Sequence, residues 1–163
     1  MAVDMFMNLD PIKGETVDDE RKAKGDMDVL AWSWGMTQSG TTHMGSGGGG
    51  GKASFQDLSF TKYIDSATNA LMKTLATGEH IPKAVLTVRK AGKGQQTYLT
   101  ITMTQVLVTS ISTGGSGGED RLTENVTLNF AKVEVAYTPQ DDKGTVAGDK
   151  TFSYNIAGNK AEG

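Results

Sequence analysis

The chain has 163 residues, a formal net charge of −3 and a pI near 5.3, values that fit a single domain with an ordinary core and argue against a surface for nucleic acid or acidic membranes. It contains no cysteine, which excludes disulfides, thiolate metal sites and a thiol nucleophile. No apolar run approaches the ~20 residues of a membrane helix, so we expect no membrane insertion.

A first strand is predicted at residues 1–9, because its apolar residues alternate onto one face: Val3, Met5, Met7 and Leu9. The opening MAVDMFMNLD carries acidic residues and lacks the basic start of a signal peptide. We therefore expect synthesis in the cytoplasm, with any export by another route. The charged run at residues 18–22 predicts an exposed loop with solvated charges.

A second strand is predicted at residues 28–38. Large residues occupy one face (Leu30, Trp32, Trp34, Met36) and small ones the other (Ala31, Ser33, Gly35). The two tryptophans fit the core of a barrel, or alternatively a platform that stacks on sugar rings. The small face allows close approach of a neighbouring sheet, or borders an open lumen.

Residues 39–53 are predicted to form a long flexible loop, with six glycines in the seven positions 45–51. Gly51-Lys52 does not complete a phosphate loop, because Ala53 follows where a hydroxyl is needed. The two histidines, His43 and His80, have no other ligand at metal-binding spacing. Loops this long are usually functional, and contact with another subunit is the role expected here.

Residues 55–64 predict a third strand, and the only helix is predicted at about 66–77. Its apolar stripe repeats every four residues, Asp65-Ser66 precedes it as a cap, and Gly78 supplies the stop. A single short helix in a β chain is expected to plug or flank a barrel.

Further strands are predicted at 84–90, 98–110, 122–137 and 151–156. Two of them change phase. In the strand at 98–110 the apolar residues move from odd to even positions after Met103, and in the strand at 122–137 they move from even to odd positions after Ala131. A β-bulge, or a strand that leaves one sheet for another, has this effect.

These patterns predict one mainly β domain over residues 1–163, with a weakly ordered tail at about 157–163. The expected fold is a small closed β-barrel of two packed antiparallel sheets with one flanking helix and long glycine-rich loops.

Three carboxylates next to the second glycine loop, Glu119, Asp120 and Glu124, raise the possibility of glycoside hydrolysis. Acidic residues at such a junction are more often solvated or paired, here with Arg121. Two isolated histidines give no Ser-His-Asp set. The chain is therefore not expected to be an enzyme or to hold a metal or cofactor.

Four blocks, in order, resemble the haemolysin-coregulated protein family: DVLAWSWGMTQSG at 28–40, QDLSFTKYID at 56–65, LTVRKAG at 86–92, and residues 108–130. The resemblance runs from the first residues to about Tyr137. That family forms the inner tube of the bacterial type VI secretion system.

The resemblance implies a barrel that assembles six copies into a ring. Rings stack into a tube, a contracting sheath drives the tube out, a spike protein tips it, and effectors ride in the lumen. The implied partners are thus the chain itself, spike, sheath and baseplate proteins, and effectors. A carbohydrate-binding β-sandwich that uses Trp32 and Trp34 is the alternative.

The small faces of Ala31, Ser33 and Gly35, or of Thr100, Thr102 and Thr104, suit a wet lumen wall. The residues expected to face the lumen are Ser33, Gly114, Gly115, Ser116 and Gly117. Ring stacking is assigned to the 39–52 loop, through Thr41, Thr42, His43, Met44, Gly47, Gly48, Gly49 and Lys52.

Overall fold

A computed structural model of the protein describes residues 3–40, 43, 51–92, 94–139 and 148–162. The elements are β1 (Val3–Asn8), β2 (Met27–Ser33), β3 (Met36–Thr37), β4 (Ser54–Phe55), β5 (Leu58–Tyr63), α1 (Ala67–Thr77), β6 (His80–Lys90), β7 (Thr97–Thr113), β8 (Thr123–Tyr137), β9 (Lys150–Asn155) and β10 (Lys160–Ala161).

Six strands close into an antiparallel barrel in the order β8-β5-β2-β1-β6-β7, and β7 pairs with β8 to complete the circle. Strand β9 pairs with the edge of β8 that also pairs with β5, and β10 pairs with β9. Strands β3 and β4 form a separate two-stranded sheet. The predicted mainly β fold, with a small closed barrel and one helix, is confirmed. Closure removes most of the exposed strand edges that an open sheet leaves unpaired.

Strand β8 belongs to both halves of the barrel. One of its edges pairs with β7 over almost the whole strand; the other pairs with β5 at residues 123–128 and with β9 at residues 132–137. The buried side chains change face after Phe130, from Val126 and Leu128 to Val133. The predicted change of phase is therefore confirmed, and its cause is a strand that passes from one sheet into another.

The barrel interior is filled by apolar side chains from all six strands, including Met7, Met27, Phe60, Leu86, Met103 and Leu128. Helix α1 adds Ala67 and Leu71 to this core. Burial of each large apolar side chain contributes roughly 1.5–3 kcal/mol. The predicted helix is confirmed, since α1 spans Ala67–Thr77. Gly78 ends it in the left-handed conformation (φ 70°) and donates its N–H to the carbonyl of Leu75.

The predicted faces of the second strand are wrong in part. A bulge between Val29 and Ala31 changes the phase early in β2, so that Met27 and Val29 enter the core. Leu30 and Met36, expected on the buried face, are 39% and 43% exposed. Trp32 and Trp34 follow the bulge and pack against the core, as expected for a barrel.

The charged run at residues 18–22 is not simply solvated, which corrects the prediction for this loop. Asp18 and Glu20 reach Arg89 on β6, and Arg21 pairs with Asp26 at 3.6 Å. Asp19 and Lys22 do form an exposed pair at the surface. The loop is thus fastened to the outer face of the barrel.

Strand β10 lies in the segment that was expected to be a weakly ordered tail, and it pairs with β9 through Lys160 and Ala161. The order of that segment in solution stays a prediction. Within the described ranges, none of the helical segments has the length and apolar character needed to cross a bilayer.

Candidate functional site

Strands β2, β5, β8 and β7 form a four-stranded sheet whose outer surface we call the hydroxyl face. Register places Ser33 beside Ser59, Ser59 beside Thr127, and Thr127 beside Ser110. One step along the strands, a second row continues the same surface. The full set is Ala31, Ser33, Ser59, Thr61, Ser110, Ser112, Asn125 and Thr127.

These side chains are small and uncharged, and several bond to one another across strands. The hydroxyls of Ser59 and Thr127 lie 3.1 Å apart, and Thr61 Oγ1 donates to Asn125 Oδ1 at 2.6 Å. Asp57 lies at one end of the face, where it accepts hydrogen bonds from Thr109 and Asn129. Within the rows of the face the side chains are without formal charge, and the Asp57 carboxylate at the end is held by two hydrogen bonds.

Two neighbouring cavities on this face bring together the residues predicted to line a lumen. One, of about 210 Å³, includes Ser33 and Thr61; the other, of about 370 Å³, includes Gly114, Gly115 and Ser116. Asn125 lines both cavities.

Gly117, the remaining predicted lumen residue, is exposed in the same loop, outside the cavity lining. Asn125 was not among the residues predicted from the sequence to face the lumen. Only the pairing of β8 with β5 and β7 places it between the two predicted groups.

The four-stranded sheet has a free edge on each side. Strand β2 pairs with β1 only through Met27 and Asp28, so the described residues 29–33 have no strand beyond them. Strand β7 pairs with β6 only as far as Leu107, which leaves residues 108–113 unpaired on their outer side. Free edges of this kind are ready to pair with another strand.

The two glycine-rich loops leave opposite ends of the same sheet. The 39–53 loop connects β3 to β4, which lie between the end of β2 and the start of β5 at Leu58. The loop at residues 114–122 lies beside Tyr63, at the other end of β5. Five residues of extended strand separate these ends by about 17 Å.

The predicted stacking residues Thr41, Thr42, Met44, Gly47, Gly48 and Gly49 lie outside the described residues. His43 and Lys52 are described and exposed. At the base of the loop, the N–H of Gly51 donates to the carbonyl of Ser39 at 3.2 Å.

The second small face proposed from the sequence, at Thr100, Thr102 and Thr104, is bordered by charge. Thr104 lies between Lys83 and Lys132 in register, and Thr102 pairs with Glu134. This surface is less suited than the hydroxyl face to an uncharged wall.

The tryptophans do not form a shared exposed platform for a sugar. Trp34 donates its indole N–H to the carbonyl of Gln56 at 2.9 Å, and its ring lies 6.4 Å from those of Phe55 and Phe130. Both tryptophans are half-buried against the core. The geometry thus gives the carbohydrate-binding alternative no support.

The three carboxylates considered for catalysis do not act together. Glu119 and Asp120 are exposed, whereas Glu124 is buried and contacts Lys62 rather than the expected Arg121. Arg121 instead lies over the ring of Tyr63, 3.6 Å from its centroid. Among the described residues, no group of three or more His, Cys, Asp or Glu is arranged to hold a metal ion.

Comparisons with known proteins agree on one family. The family model described as "Type VI secretion system effector, Hcp" matches residues 6–137. The chain is 57% identical over 161 residues to Protein hcp1 of Pseudomonas aeruginosa, a match that covers 98% of each chain.

Among solved structures, Hcp1 from Salmonella typhimurium matches at 39% identity with a TM-score of 0.81, covering 99% of this chain and 100% of that one. A structure titled as a type six secretion system protein matches at 29% identity with a TM-score of 0.91 and the same coverage.

Proposed function

Because this chain belongs to the Hcp family of type VI secretion proteins, we propose that it is a structural subunit of the type VI secretion tube. Six copies close into a ring, and rings stack head to tail into a hollow tube that a contractile sheath expels. The lumen carries effectors, and the protein is itself secreted. It performs no chemistry of its own.

Ring closure is supported by the two free edges of the four-stranded sheet. Strand directions alternate from β2 through β5 and β8 to β7, so β7 of one copy lies antiparallel to β2 of the next. The described β7 edge, residues 108–113, carries no charged side chain that would oppose this approach. A contact between two different edges is head to tail, and such contacts close into a ring when the rotation per copy allows.

This arrangement joins the hydroxyl faces of neighbouring copies into one continuous wall. The single observation that carries the proposal is the uncharged hydroxyl face of one copy, which lies between two free strand edges. A wall of serine, threonine and asparagine stays wet and does not hold an unfolded chain by apolar burial. Ser33, Gly114, Gly115, Ser116 and Gly117 face the lumen, with Asn125 between the two groups.

Stacking is supported by the opposite placement of the two loops. When rings stack head to tail, the 39–52 loop of one copy faces the end of the sheet that carries Gly114–Gly118 in the next ring. Since stacking contacts repeat by translation along the axis, they do not close and the tube grows.

The remaining partners follow from family membership: a spike protein at the tip, sheath and baseplate proteins outside, and effectors within. Synthesis takes place in the bacterial cytoplasm, and the tube leaves through the type VI apparatus. No role with nucleic acid, membrane insertion or a cofactor belongs to this function.

Negative-stain imaging of the untagged protein at moderate salt tests the proposal. Open-centred six-fold rings, single or stacked, are the expected result. Small compact particles without a central hole, with a sedimentation mass of one chain at every concentration, would overturn it.

A further inference from the structure

Arg89 is on the outer face of β6, yet its side chain is only 1% exposed. Its guanidinium lies 4.9 Å from the centre of the Phe6 ring and contacts three carboxylates. Nη2 contacts Asp18 and lies 3.5 Å from Asp4, and Nη1 is 3.1 Å from Glu20. A planar guanidinium with several donors is suited to hold more than one carboxylate at once.

The loop at residues 10–26 is ordered around this contact. Asp18 Oδ1 accepts hydrogen bonds from the N–H groups of Glu20 and Arg21, at 3.0 and 3.2 Å, while its other oxygen meets Arg89. Arg21 also lies over the Phe6 ring, at 5.6 Å. Burial alone would raise the pKa of Asp18, but the hydrogen bonds and charge of Arg89 and the backbone donors lower it below its usual value.

The same loop forms one wall of a cleft of about 350 Å³ at the free edge of β2. Thr16, Val17 and Asp18 lie on the loop side, opposite the β2 residues Val29 and Leu30. Val17 is 87% exposed, so the wall presents apolar surface to solvent. Strand β1 lines the floor of the cleft.

Three carboxylates line this cleft, and each has a partner. Asp4 and Asp18 lie against Arg89, and Asp28 accepts a hydrogen bond from Thr16 at 2.7 Å. Arg89 therefore fixes the position of the wall and offsets part of the negative charge of Asp4 and Asp18.

We propose that Arg89 is a positioning residue for ring closure: it holds the Thr16–Asp18 wall beside the free edge of β2, and the β7 edge of a second copy, at Ser110–Ser112, binds in the resulting cleft. This inference rests on the proposed ring and identifies the surface that makes it. The occupant is a second copy because a head-to-tail ring places the free β7 edge of one copy antiparallel to the free β2 edge of the next, and pairing there continues the four-stranded sheet. That edge is also uncharged, so it brings no further negative charge to the carboxylates of the cleft.

The first test removes the loop side of the contact and keeps Arg89. In Asp18→Asn/Glu20→Gln, amide hydrogen exchange at residues 16–21 is expected to rise at least about tenfold, and rings should dissociate at a concentration about tenfold higher. Protection of β8, which pairs on both edges within its own copy, should be unchanged. Asp19→Asn is the matched control, because Asp19 is exposed and pairs with exposed Lys22, and it should behave as wild type in both measurements.

The second test uses the absence of cysteine in the chain. The variant Leu30→Cys/Ser112→Cys, oxidised under native conditions, is expected to give a ladder of covalent oligomers that ends at the closed ring. The control Leu30→Cys/Ser153→Cys has its second thiol on β9 and should give no ladder.

The outcomes separate this inference from the proposed function. Wild-type protein without rings at any concentration overturns the ring and, with it, this role of Arg89. Wild-type rings that persist unchanged in Asp18→Asn/Glu20→Gln, despite faster exchange in the loop, overturn only the role of Arg89. Wild-type rings, combined with no covalent ladder from Leu30→Cys/Ser112→Cys, overturn the cleft as the place where β7 binds.

Discussion

Lys62 Nζ contacts Glu124 Oε1 inside the barrel, and both of these ionisable side chains are buried. The two residues are partners in register on β5 and β8. Lys62 also contacts Asp65 at 2.9 Å, and Thr68 at the start of α1 donates to Glu124 at 2.7 Å. This network joins β5 and β8, two strands of the four-stranded sheet, to helix α1.

Removal of one member of the Lys62–Glu124 pair is expected to destabilise the barrel strongly. Lys62→Met should lower the free energy of unfolding by about 3–5 kcal/mol, since it leaves buried Glu124 without a cationic partner. Glu124→Leu should cost less, because Lys62 keeps its contact with Asp65. The double variant should lose less than the sum of the two. Urea unfolding at pH 7 and low protein concentration measures this. The same change at an exposed position of β8, Glu134→Leu, is the control, and single variants as stable as this control would contradict the prediction.

The contribution of Asp18 is expected to depend on pH. Its pKa is held below the ordinary 3.8 by hydrogen bonds and charge that outweigh the effect of burial. Asp18 therefore stabilises the fold above pH 3.8, and this contribution is lost as the pH falls through the lower folded value. The difference in unfolding free energy between wild type and Asp18→Asn should be constant near neutral pH and narrow below pH 3.8. A difference that widens on acidification would contradict this.

The alternation of apolar residues was enough to predict the barrel and the level at which β7 and β8 change face. Gln105 and Ala131 lie opposite each other on β7 and β8, since Thr104 pairs with Lys132 and Val106 with Phe130. Both strands change face at this level, and Gln105 adopts a positive φ of 53° there. A change of face is visible in the local sequence as a one-residue shift of the apolar positions, because every second side chain must stay apolar to fill the core.

Partners from distant strands were not predictable in the same way. Arg121 is close to Glu124 in sequence, but the partner is Lys62, which register alone brings to it. Likewise, the charged run at 18–22 gave no sign of Arg89, about 70 residues away, which orders the loop. The early bulge in β2 was also missed, because Leu30 continues the alternation of Trp32 while the strand shifts by one residue.

Bulky side chains at the two predicted lumen serines are expected to reduce effector capture without loss of rings. Ser33→Gln and Ser116→Gln fill the two cavities that meet at Asn125, so the amount of effector that co-purifies with rings from the source bacterium should fall about tenfold. Thr151→Gln places the same side chain on an exposed position of β9 and is the control. Unchanged capture in both serine variants would show that these cavities do not face the cargo.

The length of the 39–53 loop, rather than its composition, is expected to govern stacking. Its base is fixed by the Gly51–Ser39 hydrogen bond and by the β3–β4 pairing, so deletion of Gly47, Gly48 and Gly49 shortens its reach by up to about 10 Å. Rings should still form, because both edges used for closure lie elsewhere, but stacked rings and secretion into the medium should be lost. Replacement of the same three glycines by serine keeps the length and should preserve both. Electron microscopy and an immunoblot of the medium measure the two effects, and a deletion variant that stacks like wild type would assign stacking to another surface.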